Sequence, residues 1–292
     1  MKIGYLGPEG TFSEEASKLY CAKLGIRGEE LIPYAAIHDL LFSVDRGKIS
    51  EAIVPIENSI EGTVGVVTDM LVKDVDLLIR CEVVVPIYHY LIAQKGIRLS
   101  EITDIISHPQ ALDQCREFIR KKLPRVKLHF SYSTSEAVRQ VATSLGEKLI
   151  AHGKVKGSVF AAIGTNTSAR VYGLNILVSK INARENQTRF VVLAKKDHAP
   201  TRHDKTSIVF SIRKDRPGGL HDILELFAER NINLTKIESR PSKKALGDYY
   251  FFADMEGHIQ EKKMAEALSA IKKKTSFYKF LGSYPNAKNI SV

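Results

Sequence analysis

The first 196 residues keep one rhythm: a short apolar run, a loop rich in glycine and polar side chains, then a helical pattern. Few architectures accept that rhythm repeated. It is the pattern of α/β layering, in which strands alternate with the helices that cover their sheet. Residues 2–6 read as a buried strand. Thr11-Phe12-Ser13-Glu14 carries a capping-box pattern, and Phe12, Ala16, Leu19 and Tyr20 share one helical face. Residues 52–55 form a second strand, and Val64, Val67, Leu71 and Val75 mark a helix. Residues 81–93 are one long apolar stretch broken by Pro86. Residues 102–106 lead into a helix carrying Leu112, Cys115, Phe118 and Ile119. Residues 127–130 and then 134–145 repeat the order. Residues 160–163 precede a helix that ends near Tyr172-Gly173, with glycine as its cap. Residues 189–194 close the series as a strand.

The stretch 195–205 is polar and contains Pro200, which places a domain boundary there. The expected division is a first domain at 1–196, a linker at 197–204, a second domain at 205–285 and a tail at 286–292. In the second domain the order is βαββαβ: strands at 206–212, 232–239, 249–255 and 277–281. One helix is opened by Pro217-Gly218-Gly219, and another is marked by Met264, Ala267, Leu268 and Ile271. That is the ferredoxin-like split arrangement.

At 292 residues, two domains of ordinary size can each bury a core without disulfides or metals. The three cysteines, Cys21, Cys81 and Cys115, are far apart, and no Cys/His spacing resembles a zinc site. Free, mostly buried thiols in a reducing cytoplasm are expected. No signal peptide and no run long enough to span a membrane is visible, so no membrane partner is expected. The net charge of +10 suits an anionic partner. The densest basic cluster, Lys272-Lys273-Lys274, reads as a solvated helix face, so no nucleic-acid partner is expected either.

Chemistry is concentrated in loops that follow strands. Gly7-Pro8-Glu9-Gly10-Thr11-Phe12-Ser13 sits between a strand and a helix start. It is either an anion-binding turn or an ordinary cap, and it matches neither common nucleotide fingerprint. Pro55-Ile56-Glu57-Asn58-Ser59, Ser107-His108-Pro109-Gln110 with Gln114 one turn on, and Gly164-Thr165-Asn166 are three more such loops. In open α/β sheets, loops beyond the carboxyl ends of strands converge on a ligand cleft. His108 alone reads as a capping or buried histidine. Thr188-Arg189-Phe190 enters the last strand of the first domain. There Thr188 offers a hydroxyl, and Arg189 can grip a carboxylate with paired hydrogen bonds. Glu238-Ser239-Arg240-Pro241 ends a strand of the second domain.

Taken together and in order, these segments resemble the monofunctional prephenate dehydratase family, whose members carry a catalytic domain followed by an ACT regulatory domain. The carrying residues are Gly7–Ser13, Pro55–Ser59, Ser107-His108-Pro109-Gln110-Ala111-Leu112, Thr188-Arg189-Phe190 and Glu238-Ser239-Arg240-Pro241. The likeness runs from about residue 2 to 283. It implies a two-lobed α/β catalytic domain like that of periplasmic binding proteins, plus an α+β ferredoxin-like ACT domain. It implies conversion of prephenate to phenylpyruvate, water and carbon dioxide with no metal or organic cofactor. Thr188 is then the catalytic residue, with Thr11, Asn58, Ser59, Ser107, Gln114, Thr165, Arg189 and Phe190 about the substrate.

The resemblance also implies feedback inhibition by L-phenylalanine, bound between paired ACT domains of a homodimer or homotetramer. The effector residues are then Glu238, Ser239, Arg240 and Pro241 with Gly218, Gly219, Leu220 and His221. The family usually writes that second segment Gly-Ala-Leu-Val, so Gly219 and His221 alter a small apolar surface. Residues 143–160 are longer and more polar than the family leads one to expect. Arogenate dehydratase and an amino-acid sensor without turnover are the competing readings. A bifunctional fragment with chorismate mutase is set aside, because the chain starts at the first catalytic strand.

Overall fold

The computed structural model describes residues 1–143, 158–182, 185–213, 216–243 and 247–287. Most of the 143–160 stretch, residues 144–157, lies outside the described residues.

Three sheets organise the chain. In the first, β1 (Lys2–Leu6) lies parallel between β2 (Glu30–Tyr34) and β3 (Glu51–Asn58). β11 (Gln187–Ala194) runs antiparallel between β3 and β5 (Leu78–Pro86), and the short β4 (Gly62–Thr63) turns back on β3. These strands read as continuous apolar runs because helices or another sheet cover both faces. Ile53 and Val54 are adjacent and fully buried, yet they belong to opposite cores. Ile53 packs with Ile3, Ala16 and Tyr20, while Val54 packs with Leu40, Val67 and Leu71. Together with α1 (Phe12–Lys23), α2 (Ile37–Asp45) and α3 (Gly65–Lys73), this sheet makes the first lobe.

The second lobe is the sheet β10 (Asn175–Val178), β6 (Tyr90–Ala93), β9 (Phe160–Gly164), β7 (Asp104–Ser107) and β8 (Lys127–Phe130), in that spatial order. Its helices are α4 (Pro109–Gln114), α5 (Arg116–Lys122), α6 (Thr134–Ala142) and α7 (Asn166–Val171). The chain crosses between lobes twice, after β5 and again before β11. The two crossings are hydrogen-bonded to each other: the Ile181 amide donates to the His89 carbonyl at 2.9 Å, and the Ile87 amide to the Asn186 carbonyl at 2.7 Å.

The third sheet is antiparallel, in the order β13 (Leu234–Pro241), β14 (Tyr249–Glu256), β12 (Asp204–Ile212), β15 (Thr275–Pro285). The helices α8 (His221–Ala228) and α9 (Lys262–Lys274) pack on one face over Ile208, Phe210, Ala253 and Met255. The opposite face lies against the first lobe. Val209, Tyr250, Phe252, Leu281 and Tyr284 enter the same core as Leu40, Leu71 and Ile79. The approach is close at Gly282, where a Cβ would sit 2.3 Å from the Ile79 carbonyl oxygen. So the two-lobed α/β domain and the βαββαβ domain are both present, and they share a core rather than hanging on a flexible link.

Several sequence expectations are corrected. The apolar stretch 81–93 is two strands in two different lobes, because residues 87–89 form a crossing between them. Residues 30–34 and 37–45, unassigned in the sequence, form β2 and α2. The capping box at Thr11 is half made. Thr11 caps the Glu14 amide, but the Glu14 carboxylate accepts from the Gly10 amide rather than from Thr11.

Candidate active site

The lobes enclose a solvent-open cavity of about 260 Å³, a size suited to one small metabolite. Thr11, Phe12, Pro55, Asn58, Thr188 and Phe190 come to it from the first lobe. His108, Gln110, Gln114, Ser133 and Thr134 come from the second, and His89 and Asn186 from the crossings. Most of these sit at or near a strand end, a helix start or a crossing, as expected for open α/β sheets, while Gln114 is the last residue of α4. His108 is the N-cap of α4, and its Nδ1 accepts from the Gln110 amide. Among the described lining residues there is no Asp, Glu, Lys or Arg; the imidazoles there are His89 and His108.

A chain of side-chain hydrogen bonds runs across the cavity wall. Asn58 Oδ1 accepts the backbone amides of Ile60 and Glu61 at 3.0 and 3.1 Å, an Asx turn that fixes the amide's orientation. Its Nδ2 must therefore donate, and it does so to Asn186 Oδ1 at 2.7 Å and to Thr188 Oγ1 at 2.9 Å. Asn186 Nδ2 donates in turn to Gln114 Oε1 at 3.0 Å. The same Gln114 oxygen lies 2.9 Å from His89 Nε2. The consequence at Thr188 is chemical. Its oxygen accepts from Asn58, and among the described residues no acceptor takes its own proton, which is available to a molecule in the cavity.

The structure brings Thr11, Asn58, Gln114, Thr188 and Phe190 to the cavity and places four other expected residues elsewhere. Arg189 is a correction. On a strand, neighbours face opposite sides, so with Thr188 and Phe190 at the cavity Arg189 must point away. Its guanidinium meets Glu82 at 2.8 Å, Asp254 at 2.6 Å, Glu57 at 3.4 Å and the Tyr284 hydroxyl at 2.8 Å. The carboxylates it grips belong to the protein, on both sides of the domain boundary. Burial opposes ionising Asp254, but Arg189 and the Ser207 hydroxyl hold its carboxyl below the usual range.

Ser107 is fully buried and donates to the Ile163 carbonyl at 2.6 Å, joining β7 to β9 behind the cavity. Thr165 is also fully buried. It caps α7, and its hydroxyl donates to the Gly10 carbonyl at 2.7 Å, clasping one lobe to the other. Gly10 permits that clasp: its φ is +82°, and a Cβ would fall 2.7 Å from Ser168 Cα. Ser59 braces Asn186 from outside, 3.3 Å from its Oδ1, while accepting the Gln187 amide.

Sequence reasoning missed His89 altogether and gave Asn186 no role. Both lie on crossings, where no local pattern marks them. His89 is buried, packs edge-on against Phe12, and has its imidazole held below the ordinary histidine value by burial, against the opposing pull of the Gln114 bond.

In the carboxy-terminal domain the expected effector segments divide by face. Lys236, Glu238 and Arg240 of the edge strand β13 turn toward the first lobe, and Ser239 and Pro241 outward. Glu238 accepts from Thr63, Lys236 bridges Glu57 and Glu238 at 3.2 Å each, and Arg240 Nε lies 3.7 Å from Asp69. Gly218 takes a φ of +78°, Gly219 is buried, Leu220 precedes α8 and His221 is exposed. No hydrogen bond or ion pair joins the two segments among the described residues.

Comparison with known proteins is consistent with this anatomy. Residues 3–198 match the model of the prephenate dehydratase family, and residues 206–273 that of the ACT domain. The prephenate dehydratase of Methanocaldococcus jannaschii is 42% identical over 286 residues, covering 96% of this chain and 97% of that protein. The bifunctional chorismate mutase/prephenate dehydratase of Aquifex aeolicus is 39% identical, and the match covers 98% of this chain and 74% of that one. The crystal structure of an Arthrobacter aurescens prephenate dehydratase in complex with L-Phe superposes with a TM-score of 0.85 at 33% identity, covering 99% of this chain and 91% of that one. With a cleft between two lobes lined by Asn58, Gln114 and Thr188 and a family match across nearly its whole length, the chain belongs to the prephenate dehydratase family, with an ACT domain following the catalytic one.

Proposed function

We propose that this chain converts prephenate to phenylpyruvate and that L-phenylalanine bound to its ACT domain lowers that activity. The observation that carries the reading is the Thr188 hydroxyl, which lines the cavity, accepts from Asn58, and has no acceptor for its own proton among the described residues. Prephenate loses a ring hydroxyl and a carboxylate together, and aromatisation drives the reaction. The enzyme needs a hydrogen-bond or proton donor at the departing oxygen and a fixed pose for the carboxylates. Thr188 fills the first role, and the Asn58 bond strengthens its O–H as a donor. The neutral donors of Gln110, Ser133 and Thr134 are the candidates for the second, since the Thr11 hydroxyl donates to the Leu6 carbonyl. Arg189 has no part in it.

The lining also favours a keto side chain over an amino one. An ammonium would need an anionic partner, and the described lining residues hold no Asp or Glu. Prephenate is therefore expected to be turned over with kcat/KM at least about tenfold above arogenate, the cost of one unmatched polar group. Parallel assays on the two substrates test this, and equal or reversed preference contradicts it.

The regulatory contact has a physical basis. Lys236, Glu238 and Arg240 hold Glu57, Thr63 and Asp69 of the first lobe, and Glu57 is next to Asn58. An effector that binds two states of this strand unequally shifts the Asn58–Thr188 pair with it. Pairing of two copies through the ACT domain, as a homodimer or homotetramer, is supported by the edge position of β13 and its exposed Ile237. Buried free thiols fit a cytoplasmic setting: burial pushes Cys21 up to about 11, and Cys81 and Cys115 up to about 12. Among the described residues no helix is long and apolar enough to cross a membrane.

A further inference from the structure

His89 lies outside every motif, yet it ends the hydrogen-bond chain that begins at Thr188. That chain has a direction. At the first-lobe end two backbone amides fix Asn58 as the donor to Asn186. Asn186 must then present its Nδ2 to Gln114, and Gln114 must present oxygen. The only orientation of Gln114 that serves Asn186 leaves that same oxygen facing His89 Nε2. So Nε2 has to carry a proton. An imidazole with its proton on Nδ1 would set a lone pair against the Gln114 oxygen. Gln114 would then turn its NH₂ toward Asn186, and the two amides would meet donor to donor.

The ring is held so that this does not happen. Its backbone amide donates to Asn182 Oδ1 at 3.1 Å, and its carbonyl accepts from Ile181. Phe12 packs edge-on against it with ring centroids 5.8 Å apart. The residue is 3% exposed, and its Nδ1 is buried without a hydrogen-bond partner among the described residues. A proton placed there would have nothing to meet. The chain also spans the molecule: Asn58 and Thr188 are in the first lobe, Gln114 in the second, His89 and Asn186 on the crossings. Its geometry holds only while the lobes keep this relation.

We propose that His89 is a positioning residue: its Nε2–H completes the chain through Gln114 and Asn186 that holds Asn58 in place against Thr188, while the Asx turn at Asn58 sets the donor direction. The inference rests on the prephenate reading for its kinetic consequence but not for its structural one.

Both are measured on the full chain. His89→Leu removes the N–H and is expected to lower kcat for prephenate at least about fivefold, with KM changed less than about threefold. His89→Gln returns an amide N–H at similar reach and is expected to recover most of kcat. Nitrogen-15 NMR of the histidine-labelled chain at pH 7, with His89 assigned by its loss in His89→Gln, is expected to show a neutral ring with its proton on Nε2 and none on Nδ1. Wild-type kcat in His89→Leu, no recovery in an equally stable His89→Gln, or a proton on Nδ1 would each overturn the proposal. The spectrum needs no turnover, so a chain inactive on prephenate would defeat the activity reading while the tautomer still decides this one.

Discussion

Thr188→Ala is expected to lose about 10²- to 10⁴-fold in kcat on prephenate, while the protein stays folded and KM moves by no more than a few-fold. The range is that of a single general acid or positioned donor acting at a reacting atom. The reason lies in how the hydroxyl is wired. Asn58 donates to the oxygen of Thr188, and the proton has no competing acceptor among the described residues. The alanine variant leaves Asn58 donating to Asn186 and removes the hydroxyl at the cavity, to which Asn58 also donates. Thr188→Ser keeps the hydroxyl and should stay within about tenfold of the parent. Single-turnover kinetics with a thermal melt alongside separates the two effects. An alanine variant that turns over normally would remove Thr188 from the mechanism. A variant that merely raises KM would make it a binding residue.

The second large effect is on stability. Arg189→Ala is expected to destabilise the chain by about 3–5 kcal/mol at pH 7, because it strands buried carboxylates. Glu82 and Asp254 have side chains 1% and 11% exposed, and Arg189 contacts both. Lys205 still reaches Glu82 at 2.9 Å, so Asp254 is left with the larger deficit. The pH dependence has a definite sign. In the parent, Asp254 is depressed, so its contribution is present above the unfolded value of about 3.9 and lost as pH falls through the folded one. Without Arg189, burial wins and raises that carboxyl, which then destabilises at neutral pH and is relieved on protonation. The difference in stability between parent and variant should therefore shrink as pH falls from 7 toward 4. Arg189→Lys, which keeps a charge, should leave KM for prephenate near the parent's. A large rise in KM with unchanged stability would return Arg189 to the substrate's carboxylate.

That pair of neighbours also measures what the sequence could tell. The strand–loop–helix rhythm located the cleft, because polar loops after strands are the rule for open sheets, and Thr11, Asn58, Gln114 and Thr188 all reach it. Alternation along a strand already forbids Thr188, Arg189 and Phe190 from sharing a face. The same alternation holds on β13, where Thr235, Ile237 and Ser239 are more exposed than Lys236, Glu238 and Arg240. Ser107 and Thr165 sit in the right loops but spend their hydroxyls on backbone carbonyls, and spacing cannot separate a donor used for substrate from one used for the frame. His89 was illegible for a different reason. Its partner Gln114 is 25 residues away, and Asn186 a further 72, so only the folded crossings bring them together.

The measurement that tests the account most directly is turnover of prephenate by the purified chain, following phenylpyruvate with and without L-phenylalanine. The account predicts phenylpyruvate production that added phenylalanine suppresses. Tight binding of prephenate with no product from it or from arogenate would contradict the account, and would make the cleft a receptor rather than a catalyst.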